Sequence, residues 1–169
     1  MIKFSKKLLS KKREFKISNH SLSLLKKAGV KSIFYGGHGY ACVYVPSLKR
    51  RSGIQLHRFL MKLIGCDIDG LEIDHINGNR LDNRISNLRM ATDAQNASNR
   101  KIPVNNSSGF KGVHFQKNNK NWVARIGIGK KRKHLGAFKT KEDAAKAYNA
   151  AAKEKYGEFA KLNSLNACS

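Results

Sequence analysis

The chain has 169 residues, room for one ordinary domain or two small ones, and two small ones would leave neither with a large core. Its 34 Lys and Arg against 11 Asp and Glu give a formal net charge of +23, far beyond the magnitude of about 2 to 8 that keeps a small domain soluble, so a polyanionic partner is expected. No window approaches 18 apolar residues and no signal-peptide stretch opens the chain, which argues against a membrane protein, while Cys42, Cys66 and Cys168, with no C-x-x-C pair, exclude a disulfide framework and a cysteine-based zinc site. Reduced thiols and no membrane segment suit the cytoplasm.

Residues 1–37 read as a basic lead-in. Within it Leu22, Leu24 and Leu25, followed by Lys26, Lys27, Ala28 and Gly29, predict a short helix with a glycine stop. GYACVYV, Gly39 to Val45, alternates and is rich in β-branched and aromatic residues, as a strand requires. Pro46 to Gly53 form a basic turn, Ile54 to Leu56 the returning strand, and HRFLMKLIG, His57 to Gly65, a helix closed by glycine. After a polar segment, Thr92 and Gln95 stand in capping-box register and predict a helix to about Lys101, stopped before Pro103.

IPVNNSSG, residues 102–109, is polar and aperiodic and reads as a linker. FKGVHF, NWVARIGIG and KHLGAF then predict three short strands. TKEDAAKAYNAAAKEKYG is the clearest helix, capped by Thr140 and Asp143 and ended by Gly157. Ala144, Ala147, Tyr148, Ala151 and Ala152 share one face, small enough to lie close on a three-stranded sheet. Alternation puts Trp122, Ala124 and Ile126 on the helix side with Leu135 and Phe138. The opposite side carries Arg125, with Lys111, His114 and Gln116 from the first strand and Arg132 and His134 from the third. Basic runs at Lys6-Lys7, Lys11 to Arg13, Lys49 to Arg51 and Lys130 to Lys133 are spread along the chain, which favours a polyanion held along a long surface.

The polar segment, LEIDHINGNRLDNRISNLRMATDAQN, gathers asparagines around one Asp74-His75 pair. Phosphodiester hydrolysis needs a base for water and a hard cation for the charge on the phosphate and the departing oxygen. His75 is the natural base. Asp74 offers a carboxylate and Asn96 an amide oxygen, and two oxygen ligands plus phosphate and waters suit one Mg²⁺ or Mn²⁺. Asn87 is a candidate to fix the His75 tautomer or to bond the facing backbone. Asn77, Gly78 and Asn79 build the turn.

This stretch resembles the HNH nuclease family, in which a β-hairpin and a helix clasp one metal ion. Asp74-His75-Ile76-Asn77-Gly78-Asn79 is similar to the D-H-x-N/D-G-N core, Asn83 to Arg89 to the N-x-x-S-N-L-R element, and His57-Arg58 to an upstream V-H-R segment. Asn96 occupies the last metal-binding place, where many members carry histidine; asparagine is the variant of phage and intron-encoded homing endonucleases. Beyond the linker, K-G-V, W-x-A-x-I, L-G-x-F, A-A-x-A-Y-x-x-A-A and a final A-x-L-N resemble the DNA-binding domain of the plant Apetala and ethylene-response-factor proteins, whose sheet lies in the major groove.

The resemblances imply an α+β chain: lead-in 1–37, a ββα-metal nuclease domain at 38–101, linker 102–109, an Apetala/ERF-like domain at 110–163 that is a small three-stranded antiparallel sheet packed on one helix, and tail 164–169. They imply a homing endonuclease of double-stranded DNA that nicks as a monomer or weak dimer, takes no small-molecule cofactor and acts in a host cytoplasm. Lys111, His114, Gln116, Arg125, Arg132 and His134 are its expected groove residues, and Arg84, Arg89, Lys130, Lys131 and Lys133 its candidates for phosphate contact. On this reading, deleting residues 102–169 abolishes site preference and leaves weak Mg²⁺-dependent nicking. The rival expectation is a sequence-specific DNA-binding regulator with an inactive nuclease segment.

Overall fold

The computed structural model describes residues 3–4, 15–48, 53–129 and 131–165. The chain divides into two compact units, residues 1–92 and 93–169. Its class is α+β, as expected.

The first unit is built on a four-stranded sheet in the order β1 (Lys3–Phe4), β2 (Ser32–Tyr35), β3 (Ala41–Tyr44) and β4 (Ile54–Gln55). β1 runs parallel to β2, and the remaining neighbours are antiparallel, with Ile33 opposite Val43 and Val43 opposite Ile54. Helix α1 (Asn19–Lys27) starts where the Ser18 side chain accepts from the Ser21 amide. It ends with Lys26 and Lys27 in the last turn, where the helix dipole favours cations, and Gly29 follows at φ +74°. Strands this short hold together only if their apolar face is covered. Residues 15–35 supply part of the cover, with Leu25 and Ile33 fully buried beside Val43, Leu56 and Leu60.

Helix α2 (Leu56–Leu63) grows directly out of β4 and has two buried faces. Leu56 and Leu60, one turn apart, enter the sheet core, whereas Met61 enters a second, smaller core with Ile68, Ile73 and Leu88. That second core lies under an antiparallel hairpin, β5 (Glu72–His75) and β6 (Leu88–Ala91), with Asp74 opposite Arg89 and His75 opposite Leu88. A segment near the start of the chain also pairs here: Lys16 N donates to Leu81 O at 3.0 Å and Asn83 N to Lys16 O at 2.8 Å.

In the second unit, β7 (Val113–Gln116), β8 (Asn121–Ile128) and β9 (Lys131–Phe138) form an antiparallel sheet in sequence order. Helix α4 (Lys141–Tyr156) covers one face, capped by Thr140 accepting from the Asp143 amide. Ala124, Ala144 and Ala145 are buried with Val113, and Trp122 and Phe138 pack around them. Ile126, Tyr148 and Ala152 continue the seam with Leu135. The predicted helix-facing residues all lie in this seam, and Val113 and Ala145, which the prediction did not include, join them. β9 begins at Lys131, earlier than KHLGAF, and a bulge opposite Ala124 and Arg125 sets Leu135 between Gly136 and His134.

The short helix α3 (Asp93–Ser98) ends before Lys101 and belongs to this second unit. Residues 106–109, expected as linker, are tied down: Ser108 is buried and its hydroxyl donates to Val113 O at 2.8 Å, while Gly109 N donates to Asn106 Oδ1 at 2.8 Å. Among the described residues, no helix is long and apolar enough to cross a membrane.

Candidate functional site

Asp74 and His75 close β5, and both are almost fully buried, at 5 % and 4 % exposure. A buried carboxylate needs a partner. Arg89 supplies one from the facing strand, placing Nε at 3.0 Å and Nη2 at 2.9 Å from Asp74 Oδ2, which the register of β5 on β6 makes possible. Burial lowers the His75 pKa, while Asn83, Asp74 and Asp82 act in the opposite direction. The net effect favours the neutral imidazole, the form that accepts a proton.

The loop from Ile76 to Asn87 that carries the chain from β5 to β6 is held by asparagine side chains. Asn87 Oδ1 accepts from Asn77 N at 3.1 Å, and Asn87 Nδ2 donates to Asn77 Oδ1 at 3.1 Å and to Asp82 O at 2.8 Å. Asn77 Oδ1 also receives Asn79 N at 2.8 Å, and Asn79 Oδ1 receives Leu81 N at 3.1 Å. Gly78 takes φ +68°, and its amide donates to His75 O at 2.7 Å. Asn87 thus clamps the loop and does not bond the imidazole. Asp82, 1 % exposed, is bridged by Arg84 at 2.8 and 2.7 Å, and that pairing holds its carboxyl down to about 2.

Behind the pair lies an arrangement that sequence reasoning missed. His57, 3 % exposed on the first turn of α2, meets His75 edge to face with ring centroids 5.0 Å apart. Tyr40 packs against both, at 4.9 Å from His57 and 6.1 Å from His75. Burial, then the charges of His75, Arg58 and Arg80, depress the His57 pKa to about 3. Its neighbour Arg58 donates to Leu71 O at 2.9 Å, tying α2 to the start of β5. The adjacent His57-Arg58 pair was the signal available in the sequence; that Tyr40 would join it was not readable there.

The donor chemistry at Asp74 fits a hard divalent cation. It is a carboxylate paired through Oδ2 with Arg89, and Mg²⁺ is commonly held by one or two carboxylates with waters and substrate phosphate completing the shell. Among the described residues no cluster of three or more His, Cys, Asp and Glu forms a larger metal cage. Asn96 is half-buried on α3, in the second unit.

On the second unit, Arg125 lies opposite His134, and Arg132 pairs opposite Gly127. The charges of Arg125, Arg132 and His134 reach His114 and, after burial, lower its pKa. Four of the six expected groove residues therefore share the sheet face away from α4. Gln116 is half-buried at the end of β7. Lys131 and Lys133 are exposed on β9, and Lys130 lies outside the described residues, as do Lys6-Lys7, Lys11 to Arg13, Lys49 to Arg51 and Cys168.

Lys111 is different. Its ammonium donates to Ser98 O and to Arg100 O, the latter at 3.0 Å, and burial lowers its pKa to about 8. Its backbone is stapled by Asn163, whose Oδ1 accepts from Lys111 N at 2.6 Å and whose Nδ2 donates to Lys111 O at 3.1 Å. This gives the terminal asparagine of the A-x-L-N element its structural task.

Comparison with known proteins gives two family matches and two relatives. A family model described as HNH endonuclease matches residues 56–98, and one described as AP2 domain matches residues 108–158. An uncharacterized HNH endonuclease of Acanthamoeba polyphaga mimivirus is 40 % identical over 117 residues, which is 67 % of this chain and 59 % of that protein. Protein 3.8 of Escherichia phage T7 is 34 % identical over 93 residues, 55 % of this chain and 76 % of the phage protein. No solved structure matches the chain.

Proposed function

Because the chain belongs to the HNH endonuclease family and carries an AP2 domain, we propose that it is a homing endonuclease that hydrolyses phosphodiester bonds of double-stranded DNA, nicking as a monomer under the guidance of its C-terminal sheet. The observation that carries the reading is the buried Asp74-His75 pair at the end of β5, with Asp74 held by Arg89. Viral relatives support a phage-type protein acting in a host cytoplasm.

His75 accepts the proton of the attacking water, and Asn87 and Asn77 keep the loop that follows it in shape. Asp74 and Asn96 would hold one Mg²⁺ or Mn²⁺. That ion, when bound, supplies Lewis acidity to the phosphate and the departing 3′ oxygen. His114, Gln116, Arg125, Arg132 and His134 face the groove, while Lys131 and Lys133, with Lys130, meet phosphate. One base per chain supports single-strand nicking, and a double-strand break would take two chains or two successive events.

The test is incubation of supercoiled plasmid with the wild type and His75→Ala, with Mg²⁺ or with chelator. Relaxed plasmid is expected only with the wild type and Mg²⁺, at equal DNA affinity for both proteins; loss of the base is worth about 10² to 10⁴ in rate. Tight binding by both without cutting, Mn²⁺ included, would instead establish a DNA-binding regulator.

A further inference from the structure

Three arginines follow the Asp74-His75 pair in the loop and on β6: Arg80, Arg84 and Arg89. Two are paired with carboxylates of the protein, Arg89 largely buried and Arg84 about half exposed. Arg84 is paired with Asp82 at 2.8 and 2.7 Å, and Arg89 with Asp74 at 3.0 and 2.9 Å. Arg80 is exposed and meets no carboxylate among the described residues. Its guanidinium lies 4.6 Å from the centroid of the Tyr40 ring, and Nη1 donates to His38 O at 2.6 Å. A single contact to a neutral carbonyl leaves most of a five-donor fork for another acceptor.

The backbone is bent to produce this arrangement. His38 sits at φ +58°, an uncommon conformation for a residue other than glycine, and Gly39 follows at +84°. The turn offers His38 O to Arg80 and puts Tyr40 against the guanidinium and against both histidines. Tyr40 in turn lies 6.1 Å from the His75 ring, so the free charge stands one ring away from the base. A planar, permanently charged fork is the side chain best matched to a phosphodiester oxygen pair.

We propose that Arg80 contacts a backbone phosphate of the DNA strand presented to His75, holding that strand in register for attack. The proposal rests on the nuclease reading of His75 and goes beyond it by assigning the phosphate contact to Arg80 and withdrawing it from Arg84 and Arg89. The positive charge of Arg80 also disfavours protonation of both His57 and His75.

The experiment uses the full chain and two readouts. First, duplex DNA binding is measured in chelator across a salt series for the wild type, Arg80→Met, Arg80→Lys and Arg84→Met, with Tm for each. Removing one phosphate contact lowers the slope of log K against log salt by about 0.9. Arg80→Met is expected to show that loss, Arg80→Lys to keep the slope, and Arg84→Met to match the wild type. Second, single-turnover nicking with Mg²⁺ at saturating protein is expected to slow about tenfold or more in Arg80→Met, because a misplaced strand loses the near-attack geometry.

An unchanged slope in Arg80→Met overturns the proposal. Equal slope loss in the Met and Lys variants, accompanied by a lower Tm, also overturns it, since the arginine would then act by holding the His38–Tyr40 turn. If the slope responds as expected and the wild type never nicks, the phosphate contact stands and the nuclease reading falls. If the wild type nicks and the slope does not respond, the reverse holds.

Discussion

His57 shows what one buried residue does in so small a core. It is enclosed by Tyr40 and His75, with the charges of Arg58 and Arg80 close by, and its pKa falls to about 3 from the ordinary 6.5. A histidine buried neutral takes up a proton when the chain unfolds anywhere between those two values. Its contribution is therefore present above pH 6.5 and lost as pH falls towards 3. The urea midpoint of the wild type is expected to drop between pH 7 and 4, above the window from 3.8 to about 2 in which the Asp82 carboxyl, paired with Arg84, loses its own contribution. His57→Phe keeps a ring against Tyr40 and cannot be protonated, so its midpoint should fall less steeply over the same range. An equally steep fall in the two proteins would assign the acid sensitivity to His75 or His114, whose pKa values are also lowered.

At the scale of elements, β7, β8 and α4 approach one another closely at Gly112. Gly112 takes φ +76°, and a Cβ there would lie 2.1 Å from Tyr148 Cδ2 and 2.6 Å from Arg125 O. Its own carbonyl accepts from Arg125 N at 2.8 Å, so the backbone has little freedom to retreat. Gly112→Ala is expected to cost about 2 kcal/mol or more, combining overpacking with an unfavourable backbone conformation. Chemical denaturation read by Trp122 fluorescence would measure it, and a cost under about 0.5 kcal/mol would mean that Tyr148 moves aside freely. Gly109, also at positive φ, has open space around its Cβ position, so Gly109→Ala separates the backbone penalty from the clash.

At the scale of the whole molecule, α3 joins the nuclease motif to the sheet module by sequence but is held by the module. Lys111 Nζ and Lys161 N donate to Ser98 O, and Ser98 Oγ lies 2.7 Å from Phe159 O. A six-residue helix has no stability of its own in water. A fragment ending at Lys101 therefore loses the groups that hold the helix bearing Asn96. Such a fragment is expected to lose Mg²⁺-dependent nicking along with site preference, in place of the residual nicking that the sequence suggested. A plasmid assay of the fragment against the full chain decides this, and nicking at the full-chain rate would show that α3 needs no support from residues beyond 101. Lys111→Met in the full chain is the milder version, expected to reduce nicking partially.

The sequence by itself determined the main helices, the strands of the C-terminal sheet and the residues proposed for the chemistry, whereas β2 lay within what read as a lead-in. Apolar spacing and glycine stops located α1 and α2, Thr140 and Gly157 bounded α4, and alternation assigned Trp122, Ala124 and Ile126 to the core, because each is a short-range signal carried by a few neighbouring residues. The Asp74-His75 pair and its asparagine-rich turn were legible for the same reason. Only the tertiary structure decided which charges are free. Arg84 and Arg89, read as candidates for phosphate contact, have carboxylates placed against them by a loop and a strand register, and Lys111, read as a groove residue, has its ammonium on the Ser98 and Arg100 carbonyls. Arg80, Tyr40 and His57 became neighbours of His75 through three separate elements. Partnership of this kind depends on distances across the fold, and those are fixed by how the hairpin, α2 and the sheet pack, which no local pattern in the sequence records.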